Sequence, residues 1–135
     1  MKLQKATLFA LIAVLELAAD PEAQPSVLEI AEKHDISAHH LAKVLRELGR
    51  AGIVDAVRGV GGGYRFKGNP KRLTLLDVIE LFEPVREARA VTRPGTEAGQ
   101  ALSRVLDEID EHAAATFRSI TLSTMLKLMG APARV

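Results

Sequence analysis

The sequence predicts a mainly α-helical fold with a single small β-hairpin, and two kinds of pattern indicate it. Apolar residues recur every three or four positions along most of the 135 residues, and Ser or Thr side chains stand where helices would begin. Between positions 53 and 66 the pattern changes to two short segments rich in β-branched and aromatic residues, IVDAVR and YRF, which a run of glycines separates.

The first half of the chain predicts three helices. The first is expected over residues 3–19 and ends at a stretch that contains two prolines. Ser26 and Glu29 have the spacing of a capping box, which would open a short second helix. After a tight turn, Ser37 is suited to be the N-cap of a third helix, and Gly52 stands where a left-handed C-cap is expected. Two short capped helices across such a turn have the outline of a helix-turn-helix.

The second half predicts three more helices. Thr74 and Asp77 have the spacing to cap a fourth helix, and residues 84–96, with two prolines and a glycine, predict a loop. A long helix is expected over residues 97–118 and a last one over about 121–130. Along the long helix a row of residues recurs at alternating spacings of four and three, as in a coiled-coil seam: Ala98, Leu102, Val105, Ile109, His112 and Thr116.

The stretch VRGVGGGYRF, residues 57–66, places four glycines in five positions. A dinucleotide fingerprint would need a third glycine where Tyr64 stands, and a phosphate-binding P-loop would need lysine in place of Asn69. Both motifs must also open a helix, whereas these glycines lead into a strand. A hairpin tip that lies close to nucleic acid fits better, because Arg58 and Arg65 flank it. The alternative is a flexible hairpin with a solvated charge run.

Charge is distributed unevenly along a chain whose net charge is only +1. Residues 37–72 contain eight Lys or Arg against two acids, a net +6, whereas residues 77–111 contain four Arg against nine acids, a net −5. This asymmetry indicates a face that binds a polyanion. The third helix has an apolar stripe of Leu41, Val44, Leu45 and Leu48. Its opposite face is polar and mostly basic, with His39, Lys43, Arg46, Arg50 and, at the flank, His40.

Such a polar face is typical of a recognition helix, although a solvated outer face could look similar. A helix-turn-helix followed by a glycine-tipped hairpin is the winged-helix arrangement. We therefore expect a winged helix-turn-helix DNA-binding domain over residues 1–83, a linker or effector loop over 84–96, and a dimerisation helix with a C-terminal helix over 97–135.

The chain resembles the Rrf2 family of bacterial transcriptional regulators in the segments ISAHHLAKVLRELGRAGIVDAVRGVGGGYRF, LTLLDVIE and ITLSTML, so the resemblance covers essentially the whole chain. It implies a homodimer in which the long helix packs against its partner and two winged helices bind a palindromic operator in double-stranded DNA. The implied DNA contacts come from Ser37, His39, His40, Lys43, Arg58, Gly61, Gly62 and Tyr64. The basic face and the wing add Arg46 and Arg65. Tyr64 would either anchor the returning strand or reach a phosphate.

The dimer interface is expected at Leu102, Val105, Ile109, His112 and Phe117, where His112 is an interface or packing histidine rather than a sensor. Many Rrf2 members ligate an iron–sulfur cluster with three cysteines between the fourth helix and the long helix, but this chain has none. Cluster sensing is therefore not carried over. The four histidines have no metal-ligand spacing, so no metal or cofactor is expected. The protein would either bind DNA constitutively or respond to an unknown effector, for which residues 84–96 are the best place.

The leading hypothesis is a cytoplasmic, sequence-specific DNA-binding regulator that catalyses no reaction. Glu16 interrupts the apolar N-terminal run, which argues against a secretory signal, and that run is too short to span a bilayer. The alternative is a winged-helix module that binds another protein instead of DNA, against which the +6 of residues 37–72 argues. An enzyme is disfavoured because no catalytic triad or carboxylate pair stands out.

Overall fold

The computed structural model describes residues 3–83 and 95–130, and within them it confirms a mainly helical fold with one antiparallel hairpin. The elements in chain order are α1 (Lys5–Ala19), α2 (Val27–His34), α3 (Ala38–Arg50), β1 (Val54–Val57), β2 (Gly63–Phe66), α4 (Leu75–Phe82), α5 (Glu97–Ser119) and α6 (Leu122–Leu128). All but the last two residues of the expected 84–96 loop lie outside the described residues.

Helix α1 forms the centre of the core. Its Ala10, Ala13, Val14 and Leu17 are fully buried, and α3, α4, α6 and β2 all pack against it. The two alanines have no bulky side chains, so the neighbouring elements can approach the α1 backbone closely. Burying a side chain such as Leu17 contributes about 1.5–3 kcal/mol. No helix in the described residues is long and apolar enough to cross a membrane.

The predicted capping boxes are both present. The Glu29 amide donates to the Ser26 hydroxyl over 3.1 Å, and the Ser26 amide donates to the Glu29 carboxylate over 3.2 Å. Thr74 and Asp77 make the same reciprocal pair at the start of α4, at 3.2 and 2.9 Å. Each pair satisfies amides that the first turn of a helix leaves without partners, which fixes where α2 and α4 begin.

Helix α3 begins and ends where the sequence predicts. The Ser37 hydroxyl accepts a hydrogen bond from the His40 amide, so Ser37 is the N-cap. At the other end Gly52 has a φ of +78°, and the Ile53 amide donates to the Leu48 carbonyl over 3.0 Å. This is a Schellman motif, which needs a left-handed residue at that position. The chain therefore leaves α3 sharply and enters β1 two residues later.

The hairpin is attached to the loop between α1 and α2. Strands β1 and β2 pair from Val54 opposite Phe66 to Val57 opposite Gly63, and the Tyr64 amide donates to the Pro25 carbonyl over 3.0 Å. A Cβ on Gly63 would lie 2.3 Å from the carbonyl oxygens of both Gln24 and Pro25. Glycine is required at position 63 because the loop backbone occupies the space of a side chain.

The C-terminal segment returns to the N-terminal half. Thr121 forms an antiparallel bridge with Thr74, where the Leu75 amide donates to Ile120 and the Leu122 amide donates to Leu73, both over 2.9 Å. Leu122 is fully buried in the core that α1 organises. Helix α6 thus completes the core of the winged helix, whereas α5 contains no buried residue.

Two carboxylates connect α1 to its neighbours. The buried Thr7 hydroxyl and the Gln4 amide both donate to Glu83, which places a negative charge at the N-terminus of α1, where the helix dipole favours it. Glu16 hydrogen-bonds to Lys33 at 3.0 Å and to His34 at 2.7 Å, at the end of α2. Burial raises the pKa of Glu16, but the hydrogen bonds and attraction from His34 and Lys33 outweigh burial and lower it.

We expect Glu16→Gln to destabilise the protein at neutral pH by up to about 1 kcal/mol, the range of partly exposed ion pairs. The folded-state pKa of Glu16 is lowered, so its contribution is complete above its unfolded-state pKa and is lost as the pH falls through the folded value. Urea unfolding of both proteins between about pH 7 and about pH 2 measures this. A difference in unfolding free energy that does not shrink toward low pH would contradict it.

Gly63→Ala should lower the free energy of unfolding by at least about 2 kcal/mol, because the added methyl overlaps two carbonyl oxygens of the backbone. Gly49→Ala is the matched control. A Cβ there meets only the Val54 carbonyl, at an ordinary 3.8 Å, and alanine favours the helix interior by up to about 1 kcal/mol. Urea unfolding should give opposite signs for the two variants, and equal effects would show that the loop does not constrain Gly63.

Candidate nucleic-acid interface

The two faces of α3 separate as the sequence predicts. Leu41, Val44, Leu45 and Leu48 are buried, which fixes the rotation of the helix in the core. His39, Lys43, Arg46 and Arg50 are exposed along the opposite side. The apolar stripe anchors this helix in the core, and its opposite face exposes hydrogen-bond donors. Such a helix can enter the major groove and contact base edges.

Two of the predicted contact residues on α3 have partners within the protein. The Ser37 hydroxyl accepts from the His40 amide, so this hydroxyl already caps the helix. The His40 ring is half-buried and packs edge-to-face on Phe9 of α1, with ring centroids 4.9 Å apart. His40 therefore also holds the N-terminal turn of α3 against α1, whereas His39 faces outward.

The wing tip is a tight turn whose shape depends on glycine. The Gly62 amide donates to the Gly59 carbonyl over 2.9 Å, and Gly59 and Gly61 have φ values of +99° and +77°. A Cβ on Gly62 would lie 2.2 Å from the Val57 carbonyl oxygen. Internal geometry therefore accounts for these glycines without any contact with DNA.

The aromatic residue after the glycines lies on the inner side of the hairpin. Tyr64 is partly buried and packs against the hydrophobic core, and its amide bonds to Pro25. Of the two roles that the sequence leaves open, this placement favours an anchor for the returning strand.

Every basic residue between positions 37 and 72 is exposed: Lys43, Arg46, Arg50, Arg58, Arg65, Lys67, Lys71 and Arg72. Three of them have acidic neighbours. Arg50 pairs with Glu47 at 2.8 Å, while Arg65 and Lys67 both approach Asp55, at 3.5 and 3.7 Å. The other five make no ion pair with any described residue, so their charge is available to a phosphate backbone.

Neither Asp55 nor Phe9 is among the residues that the sequence predicts for this region. Asp55 lies directly opposite Arg65 in the hairpin register, so its carboxylate offsets part of the charge of the wing. The register could have been derived from the alternation of the two strands. Nothing in the sequence pattern distinguishes Phe9 from other apolar residues of α1, because its contact with His40 depends on how the two helices cross.

The apolar row of α5 is uncovered in a single protomer. Leu102, Val105 and Ile109 each have about half of their surface exposed, at 51, 52 and 50%, and His112 is also exposed. Phe117 is partly buried and packs against the core of its own chain.

The fold and the site together define a winged-helix DNA-binding protein. The chain belongs to the Rrf2 family, because the model of that family, described as an iron-dependent transcriptional regulator, matches residues 3–128. The family resemblance seen in the sequence is thereby confirmed.

Individual relatives and solved structures that resemble this chain are also transcriptional regulators. The chain is 52% identical over 130 residues to the HTH-type transcriptional regulator BadM of Rhodopseudomonas palustris, and the match covers 96% of this chain and 83% of BadM. The solved structure of IscR of T. potens superposes with a TM-score of 0.78 at 25% identity and covers 100% of this chain and 94% of that one. CymR of B. subtilis, described as a global cysteine regulator, gives a TM-score of 0.76 at 26% identity, over 95% and 98% of the two chains.

The residues of this chain do not fit the iron centre that the family description implies. The sequence contains no cysteine, so no thiolate ligand exists. Within residues 3–83 and 95–130, no three His, Asp or Glu side chains converge in a way that could hold a metal ion. No part of the function is therefore derived through iron.

We expect Arg58→Ala to weaken binding to specific and random DNA to a similar degree and to lower the salt slope by about one, as for a lost phosphate contact. Asp55→Asn should strengthen binding to random DNA, because it removes the acid that lies beside Arg65 and Lys67. Fluorescence anisotropy over a range of salt concentrations measures both, with Lys127→Ala on α6 as the control. Salt slopes that are equal in Arg58→Ala and wild type would exclude a phosphate contact.

Proposed function

We propose that the protein is a homodimeric transcriptional regulator that binds a palindromic operator through two winged helices and does so without a cysteine-ligated iron–sulfur cluster. The observation that carries this proposal is the set of eight exposed basic residues on α3, the hairpin and the segment that follows. In this arrangement α3 reads bases in the major groove, with His39, Lys43 and Arg46 nearest the base edges, and the basic residues of the wing contact the backbone.

The exposed row of α5 supports a second copy of the chain as the partner. A 23-residue helix without one buried residue is expected to be only marginally stable by itself, because most helical stability in proteins comes from packing. Burying Leu102, Val105 and Ile109 against the same row of a twofold-related copy would remove them from water. A twofold dimer also presents two recognition helices, which matches half-sites about 34 Å apart.

The signal that controls this protein is not sensed by a cysteine-ligated iron–sulfur cluster, because the chain has no thiolate ligands. Its binding to DNA is either constitutive or controlled by an effector at residues 84–96, the segment that stands in place of the cysteine region. The protein acts in the cytoplasm, where the operator is, and catalyses no reaction.

A gel shift with the DNA upstream of the protein's own gene, at two salt concentrations, tests DNA binding. We expect a specific complex that survives salt at which random DNA is released. Identical affinity for both DNAs would contradict sequence-specific regulation, and no binding to either would favour a winged-helix module that binds another protein.

Ile109→Glu tests the dimer, because it places a charge in the middle of the apolar row. We expect a monomer by light scattering and at least about a hundredfold weaker operator binding, since two half-sites are no longer linked. Glu111→Lys is the control, as it lies about 200° around α5 from Ile109. A variant that remains dimeric with unchanged affinity would show that this face of α5 is not the interface.

A further inference from the structure

Val60 is the most exposed large apolar residue among the described ones, with a relative accessibility of 110%. A single exposed apolar side chain is common on protein surfaces and needs no explanation by itself. What distinguishes Val60 is its surroundings. Positions 59 and 61–63 are all glycine, so Val60 is the one side chain that the wing presents between Arg58 and Tyr64.

The turn fixes the place of this side chain. The Gly62 amide bonds to the Gly59 carbonyl, and the positive φ of Gly61 at the third position is that of a type II turn, with Val60 at the second position. Behind the turn, the Gly62 and Gly63 backbones lie against carbonyl oxygens, and Tyr64 bonds to Pro25. Val60 is thus held at the outermost point of a hairpin that is fastened to the domain.

The apolar side chain at the tip limits which parts of DNA the wing can contact. The isopropyl group of Val60 cannot donate a hydrogen bond to a phosphate, whereas the neighbouring Arg58 can. It can pack on sugars and on the edges of base pairs in the minor groove. There A·T pairs present only acceptors, whereas guanine adds an amino group that projects into the groove and needs a hydrogen-bond partner.

On the basis of the proposed operator binding, we propose that Val60 is a specificity-determining residue, which contacts the minor groove beneath the wing and selects A·T over G·C there. The selection works by exclusion, since Val60 covers the guanine amino group without accepting its hydrogen bond. The wing then contributes to sequence recognition as well as to backbone affinity.

The first measurement locates the wing on the DNA. Because the chain has no cysteine, Ala56→Cys on the exposed edge of β1 creates a unique site for an iron-chelate cleavage reagent. Cleavage of an operator fragment that was selected with the wild-type protein identifies the base pairs beneath the hairpin. The offset between cuts on the two strands identifies the groove. We expect a minor-groove offset, and a major-groove offset would overturn the proposal.

The second measurement compares three probes that carry A·T, inosine·C or G·C at the base pairs so identified. Inosine·C has the major-groove edge of G·C but lacks the amino group in the minor groove. We expect the wild-type protein to bind the A·T and inosine·C probes equally and the G·C probe about fivefold more weakly, because the covered guanine amino group loses its hydrogen bond to water. Val60→Gly should bind all three within about twofold of one another, because it lacks the contact.

Val60→Thr separates shape from chemistry, since it keeps the size and the stiff β-branched side chain but replaces a methyl with a hydroxyl. Its hydroxyl can accept from the guanine amino group, so its discrimination should fall to about twofold or less. Neither variant should change the salt slope, because Val60 is uncharged. Val60→Thr should keep the melting temperature, whereas Val60→Gly should lower it slightly, because a fifth consecutive glycine raises the entropy of the unfolded chain.

Discrimination that persists in Val60→Gly, or a wild-type protein that separates A·T from inosine·C, would overturn the role of Val60 while operator binding stands. A wild-type protein that shows no preference among the three probes would overturn it as well. If the wild-type protein binds no operator fragment more tightly than random DNA, the proposed function itself is refuted.

Discussion

Close packing around α1 is the constraint on which the rest of the structure depends. Its alanines allow α3, α4, α6 and β2 to lie against one short helix. Helix α3 and the hairpin are thereby held in fixed positions against the same helix. The apolar stripe of α3 sets its rotation, and the Phe9 ring supports His40 near its N-terminus. A larger residue at Ala10 or Ala13 would displace several elements at once, since protein interiors are packed without spare volume.

The glycine run shows how one stretch can meet an internal and an external requirement together. Two of its glycines have backbone angles that other residues rarely adopt, and two lie where backbone oxygens leave no room for a Cβ. These demands come from the hairpin and from the loop at Pro25, and they would exist without DNA. The bare tip that results also lets a backbone and one valine approach a second molecule.

The sequence reveals most of the fold because its signals are local. Capping boxes at Ser26 and Thr74 depend on residues three positions apart, and Gly52 marks the end of α3 by its own conformation. Contacts between distant segments could not be derived in this way. Phe117 packs against the core of its own chain, the Ser37 hydroxyl caps α3, and the His40 ring packs on Phe9. Asp55 opposes Arg65 only after the strands have paired, so the number of basic residues alone overstates the positive charge that the wing offers.

The bridge between Thr74 and Thr121 has a consequence for how the protein is made. Leu122 fills part of a core whose other buried members lie between residues 10 and 79, so that core is incomplete until residue 122 has left the ribosome. Contacts so far apart in sequence form late, because a long loop must close first. A nascent chain with α1 to α4 exposed, or one truncated before α6, lacks this closure. Such a product would lack part of the core that holds α3 and the hairpin against α1.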